Sequence, residues 1–188
     1  MISEKAKKIL KEKVKKLDKK DDYLIISDFD DTIFSRKQQL EDSELIKNNR
    51  WNIWNFVMRK IIWIDNIIKD FYLNKDFPKI ITNKLRKNHD LILTAGYNDF
   101  QEAKIKACGL DYINYSIVPG WEEKILETIN YIIHHLAFIP NKVTIYEDRP
   151  KYFTLYKDFL EDILWTEFEI IFVEMIDNYT EPKITKID

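Results

Sequence analysis

Short apolar runs recur along this chain and alternate with segments whose apolar residues repeat at helical spacing. Such runs, bounded by polar residues, are typical of strands buried on both faces of a parallel sheet. They cover 23–26, 91–93, 115–118, 143–146 and 169–173, and the helical patterns cover about 98–107, 121–136 and 150–163. The alternation predicts an α/β fold, a three-layer sandwich with a mainly parallel sheet and helices on both of its faces.

The first 20 residues have a different character from the rest of the chain. They contain nine lysines and three acids, and Ile9, Leu10, Val14 and Leu17 recur at helical spacing. We therefore expect a basic amphipathic N-terminal helix over 1–20, followed by a single α/β domain over 21–188. The helix either docks on the domain through its apolar stripe or serves as an arm that attracts phosphates.

A long segment, about 35–78, separates the first two predicted strands and predicts a small helical insertion. Its centre, 51–72, is rich in tryptophan, isoleucine and phenylalanine on nearly every helical face. Such a helix is either buried on several sides or forms a surface for a partner, which includes a second copy of the chain. If it covers the site, it acts as a lid that excludes water. Pro78 predicts the start of a further helix over about 79–87.

The composition excludes several classes of protein. The 188 residues are 45% hydrophobic, with a net charge of -2 and one cysteine. This is enough apolar material for a packed core, and no disulfide framework can form within the chain. No signal peptide or membrane-spanning run is visible, so we expect a cytoplasmic protein with no membrane partner. The overall charge does not require nucleic acid, although it does not exclude it.

Acidic residues directly follow the first predicted strand. Asp28, Asp30 and Asp31 come immediately after the apolar run 23–26. Carboxylates at the edge of an apolar core are costly to desolvate, and a bound cation would remove that cost. Oxygen ligands of this type suit Mg²⁺, which binds to one or two carboxylates and to substrate phosphate. The acids of either candidate motif, here or after 143–146, could alternatively be helix caps.

Other polar side chains fall at the same edge of the predicted sheet. Thr94 follows 91–93, Glu147 and Asp148 follow 143–146, and Lys124 opens the helix after 115–118. Because ligands bind beyond the carboxyl ends of the strands in open α/β sheets, these groups should converge on one pocket. Lys142 is the alternative lysine, but it lies at the start of its strand and so at the wrong end.

Four motifs in this order resemble those of the haloacid dehalogenase (HAD) superfamily of phosphatases. The DxDxT motif after a hydrophobic strand matches Asp28-Phe29-Asp30-Asp31-Thr32, and the strand-ending Thr or Ser matches Leu93-Thr94-Ala95-Gly96. The lysine that opens a later helix matches Lys124, and the acidic pair after a strand matches Glu147-Asp148. The resemblance covers 24–148, extends with its flanking strands to about 173, and implies a HAD-like Rossmannoid domain.

The resemblance also implies an activity and residue roles. It implies a Mg²⁺-dependent phosphomonoester hydrolase in which Asp28 attacks phosphorus and forms an aspartyl-phosphate. Asp30 would protonate the leaving oxygen and then deprotonate the hydrolytic water. The Asp28 carboxylate, the Asp30 backbone carbonyl and Asp148 would hold Mg²⁺, and Thr94 and Lys124 would bind the phosphoryl oxygens. The substrate would be a phosphorylated small metabolite or nucleotide.

A narrower resemblance concerns Tyr146-Glu147-Asp148-Arg149. This run is similar to the fourth motif of HAD domains associated with RNA repair and with polynucleotide 3′-phosphatases. It implies a nucleic-acid end phosphatase as an alternative function, in which Arg149 positions the acids or contacts a substrate phosphate. Glu147 would support the metal without binding it, or face away. Tyr97 stands where such repair enzymes often have an arginine. A non-catalytic phosphate-binding module is the second alternative.

Overall fold

The computed structural model describes residues 4–36, 64, 68–69, 72–73 and 76–187. Most of the predicted insertion at 35–78, with its aromatic segment 51–72, therefore lies outside the described residues. The proposals that this segment forms a lid or an oligomer surface stay predictions.

A six-stranded sheet forms the centre of the molecule. Its strands are β1 (Lys19–Ser27), β2 (Leu91–Ala95), β3 (Asn114–Val118), β4 (Ile139–Glu147), β5 (Glu167–Glu174) and β6 (Lys183–Ile187). Their order across the sheet is β3-β2-β1-β4-β5-β6. The first five are parallel and β6 runs antiparallel to β5. The predicted α/β fold and mainly parallel sheet are confirmed; β6 was not predicted.

The helices of the described part of the chain follow the predicted ones except at the N-terminus, where the helix expected over 1–20 ends at Val14 and both Lys19 and Lys20 already belong to β1. They are α1 (Glu4–Val14), α2 (Asn98–Ala107), α3 (Glu123–Asn130) and α4 (Lys151–Leu164), and a π-helical segment, Tyr131–Leu136, continues α3. The structure contains no described helix that is long and apolar enough to cross a membrane.

The prediction of a helix over 79–87 is wrong. Only a short 3₁₀ turn, Thr82–Lys84, forms there, and Leu85 is already extended, with φ −77° and ψ 126°. The Asp90 carboxylate accepts the backbone N–H of Arg86 at 2.7 Å, so this donor is unavailable to a continuing helix. Asn88 then adopts a positive φ of 57°, which reverses the chain before β2.

Two apolar clusters lie on opposite faces of the sheet. Successive side chains of a strand point to opposite faces, and Ile25 belongs to one cluster while Leu24 and Ile26 belong to the other. The first cluster receives α2 through Phe100 and Ile105. The second receives α1, α3 and α4. This layering confirms that helices cover both faces, and it fixes which ends of the strands are left for a site.

The basic N-terminal helix docks on the domain. Val14 is fully buried, and Leu10 and Leu17 pack against the same cluster, whereas Ile9 is half exposed. Lys11 pairs with Asp162 near the C-terminal end of α4 at 2.7 Å. The helix therefore packs along the later part of α4, away from the start of α4 at the carboxyl edge of the sheet.

At the opposite edge of the sheet, a buried carboxylate joins β1 to the turn before β2. Asp90 is fully buried and accepts the backbone N–H of Ile25 at 3.0 Å. The guanidinium of Arg86 lies 3.2 Å from Asp90 and 2.9 Å from Asp22 on β1. Because a buried charge is tolerated only when it is paired and hydrogen-bonded, this cluster fixes how β1 enters the sheet.

Replacing Asp90 with alanine should therefore destabilise the fold strongly. The change leaves the Ile25 and Arg86 N–H groups without their acceptor and removes one half of a buried pair, which typically costs about 3 kcal/mol. Urea unfolding would measure this, with Asp158→Ala on the exposed surface of α4 as the matched control. Equal stability of the two variants would contradict the structural role of Asp90.

Candidate active site

The carboxyl ends of β1 and β4 bring two acidic segments side by side. Ser27 pairs with Tyr146 in the parallel register, so Asp28 and Glu147 are the next residues on neighbouring strands. The backbone N–H of Asp28 donates to the Tyr146 carbonyl at 2.9 Å, which fixes Asp28 at the sheet edge. The predicted convergence of these two segments is confirmed.

Three carboxylates meet at this edge and form an acidic cluster of Asp28, Glu147 and Asp148. One oxygen from each lies within 4.8 Å of the other two. Asp28 and Glu147 are buried and Asp148 is partly buried. Glu147 was expected either to support the metal without binding it or to face away. Instead, one of its carboxylate oxygens faces the cluster and meets the same 4.8 Å limit as Asp148. The sequence could not decide this, because the direction of its side chain depends on Lys124.

Lys124 lies between two of these acids. Its Nζ is 3.0 Å from Asp28 Oδ1 and donates a hydrogen bond to Glu147 Oε2 at 2.8 Å. Burial opposes a charge on this side chain, but the attraction of Asp28 and Glu147 outweighs it and raises the pKa of Lys124. The lysine is therefore a fixed cation. The alternative, Lys142, lies near the start of β4 and pairs with Glu169 at 2.9 Å.

Glu147 and Asp148 resist ionisation, because the pKa values of both are raised. Burial first, and then repulsion from Asp28, raise the pKa of Glu147 well above its ordinary value. The same two causes raise the pKa of Asp148 to about 6. If all three carboxylates were ionised, one lysine would leave an excess of negative charge, and this is why their ionisation is opposed.

The residues present fit a divalent cation. Within the described part of the chain, Asp28 Oδ1 is buried and accepts no well-aligned hydrogen bond, although Lys124 is near it. A second, divalent positive charge would engage this oxygen and relieve the repulsion among the acids. Oxygen ligands of this number and charge suit Mg²⁺. Asp28 and Asp148, with Glu147 close by, are the side chains that would hold it.

The Asp30 side chain is held by two residues of α2 rather than by the acidic cluster. Both of its carboxylate oxygens are 2.6 Å from Nζ of Lys104, and Gln101 Nε2 donates to Oδ2 at 3.0 Å. Burial opposes its ionisation, but the charges of Lys104 and Arg36 outweigh this and lower the pKa of Asp30. Asp30 is thus an ionised carboxylate here, a state in which it accepts protons.

Lys104 is the important residue that the motifs did not identify. It is 1% exposed, and its Nζ lies 4.9 Å from the ring centroid of Phe100 and 5.4 Å from that of Phe29. A signal was present in the sequence: α2 buries Phe100, Gln101, Lys104 and Ile105 on one face. Two polar residues at helical spacing on an apolar face indicate buried polar partners.

Thr94 lies at the end of the neighbouring strand, where it was expected. It is 1% exposed on β2, and its hydroxyl contacts Gln101 Oε1 at 3.4 Å. Gln101 therefore links Thr94 to Asp30. Gly96 makes this link sterically feasible, because a Cβ there would lie 2.7 Å from Gln101 Nε2, and its φ of 148° disfavours other residues.

The loop after β1 holds the acids in place. Asp31 has a positive φ of 60°, and its carboxylate accepts the N–H of Arg36 at 2.8 Å and its Nε at 3.0 Å. The carbonyl of Phe29 accepts a hydrogen bond from the backbone N–H of Ile33 at 2.9 Å. This closed turn keeps Asp28 and Asp30 at the sheet edge. Asp31 is engaged by the turn rather than by the acidic cluster.

Comparisons of this chain with models of protein families, with characterised proteins and with solved structures found no match.

Without a divalent cation, the stability of the protein should fall as pH rises. The folded protein keeps a proton on Asp148 up to about pH 6, whereas the unfolded chain releases it near the ordinary value of 3.8. The unfolded state binds fewer protons in this range, so the folded state loses on the order of 2 kcal/mol, and Glu147 adds to the loss. Thermal unfolding in EDTA at about pH 5 and about pH 8 measures this.

Mg²⁺ should reverse this trend, because it takes the place of the protons on the acids. The cation should raise the unfolding temperature more at the higher pH, and Asp148→Asn should reduce both effects. A magnesium effect that is equal at both pH values, or unchanged in Asp148→Asn, would contradict a cation site at this cluster.

Replacing Lys104 with methionine should leave the buried Asp30 carboxylate without its positively charged partner. Breaking a buried pair by removing one partner costs about 3 kcal/mol, so the single variant should unfold at lower denaturant concentration. The double variant Lys104→Met with Asp30→Asn removes both charges and should recover much of that stability. Lys106→Met, an exposed position of α2, is the control. Additive losses in the double variant would show that the two side chains are not coupled.

Proposed function

We propose that this protein is a Mg²⁺-dependent phosphohydrolase of the HAD type, with Asp28 as its nucleophile. The observation that carries the proposal is the arrangement around Asp28: a buried carboxylate beside a fixed lysine and within 4.8 Å of two further acids. Phosphoryl transfer requires a nucleophile, a cation and positive charge on the non-bridging oxygens. The assignment of this α/β fold to the HAD type is part of the same proposal.

In the first half-reaction, an Asp28 oxygen attacks phosphorus and the bond to the ester oxygen breaks. Lys124 lies beside the attacking carboxylate and offsets the negative charge of the phosphoryl oxygens. The Thr94 hydroxyl, one strand away, binds another of these oxygens. When bound, Mg²⁺ offsets the charge that Asp28 and the phosphoryl group bring together. The product is an aspartyl-phosphate and a free alcohol or aryl alcohol.

The leaving oxygen needs a proton, and the structure suggests its source. Asp30 is ionised, but the Lys104 ammonium donates to both of its oxygens at 2.6 Å. Burial is the largest influence on Lys104 and lowers its pKa. We infer that the proton passes from Lys104 to Asp30 and on to the leaving oxygen.

In the second half-reaction, a water oxygen attacks phosphorus and the bond between phosphorus and the Asp28 oxygen breaks, which releases phosphate and regenerates the Asp28 carboxylate. Asp30 takes the proton of this water and returns it to Lys104, so the proton given up in the first half-reaction is restored. Asp30 therefore keeps its expected acid and base roles, with Lys104 as a positioning residue and proton reservoir behind it.

A nucleic-acid end phosphatase is the second candidate, and one observation favours it. Arg149 is half exposed at the edge of the acidic cluster, and its Nε lies 3.5 Å from Asp148 Oδ2. A planar guanidinium in this place suits a phosphate group. The basic helix α1 supports this candidate less than expected, because it packs along the later part of α4. A panel of phosphorylated metabolites and of 3′- and 5′-phosphorylated oligonucleotides would separate the candidates, and no turnover with bound Mg²⁺ would favour a non-catalytic module.

Replacing Asp28 with asparagine should abolish turnover and preserve the fold. The amide is nearly the same size but is not a nucleophile, so hydrolysis of an aryl phosphate with Mg²⁺ should fall by about a thousandfold or more. Asp158→Asn, an exposed acid on α4, should retain full activity. Circular dichroism would verify the fold of both variants. An Asp28→Asn protein that hydrolyses the substrate at a rate near that of the wild type would exclude Asp28 as nucleophile.

A further inference from the structure

An exposed tryptophan lies at the rim of the proposed active site. Trp121 is 43% exposed and stands three residues before Lys124. Its carbonyl accepts the backbone N–H of Lys124 at 3.2 Å, so the position of the indole is tied to that of the lysine. A large aromatic ring that is exposed beside a charged pocket is suited to stack on a planar group of a ligand.

The tryptophan is also connected to the acidic cluster from the other side. The guanidinium of Arg149 lies over the indole, 4.6 Å from its centroid. The Arg149 side chain is also paired with Asp148, and the backbone N–H of Arg149 donates to Glu147 Oε1 at 3.3 Å. Tyr152, on the first turn of α4, packs against Trp121 at 6.1 Å between centroids. Trp121, Arg149 and Tyr152 thus form a stacking platform that adjoins the site.

We propose that this stacking platform binds the planar base of the substrate, so that the protein acts on phosphate esters whose alcohol carries a nucleobase. This inference rests on the proposed function and narrows its substrate class. Indole and guanidinium faces both stack on bases, and every base presents a π-face. A phosphoryl group bound at Asp28 and Lys124 would lie beside Asp148, whose partner Arg149 covers the Trp121 indole, so the platform would be within reach of the rest of the substrate.

The nucleobase has two possible sources, a mononucleotide and the end of an oligonucleotide. Glu122 and Glu123 are exposed beside Trp121 and repel additional phosphates. Arg149, whose side chain is 49% exposed, can pair with one further phosphate. The charge at the rim therefore suits a short ligand, and a comparison of substrates distinguishes the two sources.

The test is the ratio of two kcat/KM values in the full-length protein with Mg²⁺. One is for 5′-AMP or 3′-AMP, and the other is for glycerol 2-phosphate, which carries no ring. We expect the wild type to prefer the nucleotides and Trp121→Leu to lower the ratio about tenfold, the typical contribution of one stacked base. Trp121→Phe, which keeps an aromatic face, should keep most of the ratio. Tyr112→Leu is the control, an exposed aromatic position before β3 at the far edge of the sheet.

The outcomes separate this inference from the proposed function. A wild type without preference for the nucleotides, or an unchanged ratio in Trp121→Leu, overturns the stacking platform and leaves the phosphatase proposal intact. An equal loss for both substrates also overturns it, because it shows only a structural role for Trp121. A 3′- or 5′-phosphorylated oligonucleotide included as a third substrate identifies the source of the base.

If the wild type hydrolyses none of these substrates, the phosphatase proposal fails and binding decides the inference. Calorimetric titration with 5′-AMP should then give an affinity that Trp121→Leu weakens about tenfold and Tyr112→Leu does not. The absence of binding, or equal affinities in the two variants, overturns the stacking platform as well.

Discussion

The ion pair between Lys124 and Asp28 is the interaction on which the rest of this site depends. Three carboxylates at the end of a buried strand pair repel one another and lose hydration, and each effect is unfavourable. Lys124, fixed between Asp28 and Glu147, offsets part of that cost and keeps Asp28 at the sheet edge. When all three acids are ionised, the remaining negative charge would favour a divalent cation. Under the proposed function, the repulsion that destabilises the folded protein is what a bound cation would relieve, and Lys124 would supply positive charge to the phosphoryl oxygens.

A second buried ion pair, between Lys104 and Asp30, gives the two aspartates of the first loop different environments. Asp28 and Asp30 are separated by one residue, yet their partners are different lysines from different helices. Lys124 of α3 contacts Asp28, and Lys104 of α2 contacts Asp30. Two carboxylates with two separate cations can carry out two separate tasks, attack on phosphorus and transfer of protons. Gln101 connects the second pair to Thr94, and Gly96 leaves the space that Gln101 needs, so a substitution at either position should disturb Asp30 and Thr94.

The sequence predicted the sheet well because its central strands are continuous apolar runs, which few other structures accommodate. Placing Asp28, Thr94, Lys124 and Asp148 at one edge then followed from the parallel direction of these strands. The chain did not reveal β6, because Lys183–Ile187 is a short edge strand whose two apolar residues, Ile184 and Ile187, do not alternate with polar ones as in a typical half-buried strand. It did not reveal the start of β1 either, since Lys19–Asp22 is polar and is held in the sheet by pairing with β4. The spacing of Gln101 and Lys104 on an apolar helix face indicates buried polar partners, but the identity of the partner, Asp30, depends on how α2 docks.

The proposed function requires that Asp28 becomes covalently phosphorylated during turnover. The most direct test is to quench the protein with acid during hydrolysis of an aryl phosphate with Mg²⁺, and to locate any phosphoryl group by peptide mass spectrometry. We predict a phosphoryl adduct on the peptide that contains Asp28, labile to hydroxylamine as an acyl phosphate is, and absent from Asp28→Asn. An adduct on a different residue, or the same adduct in Asp28→Asn, would contradict the account.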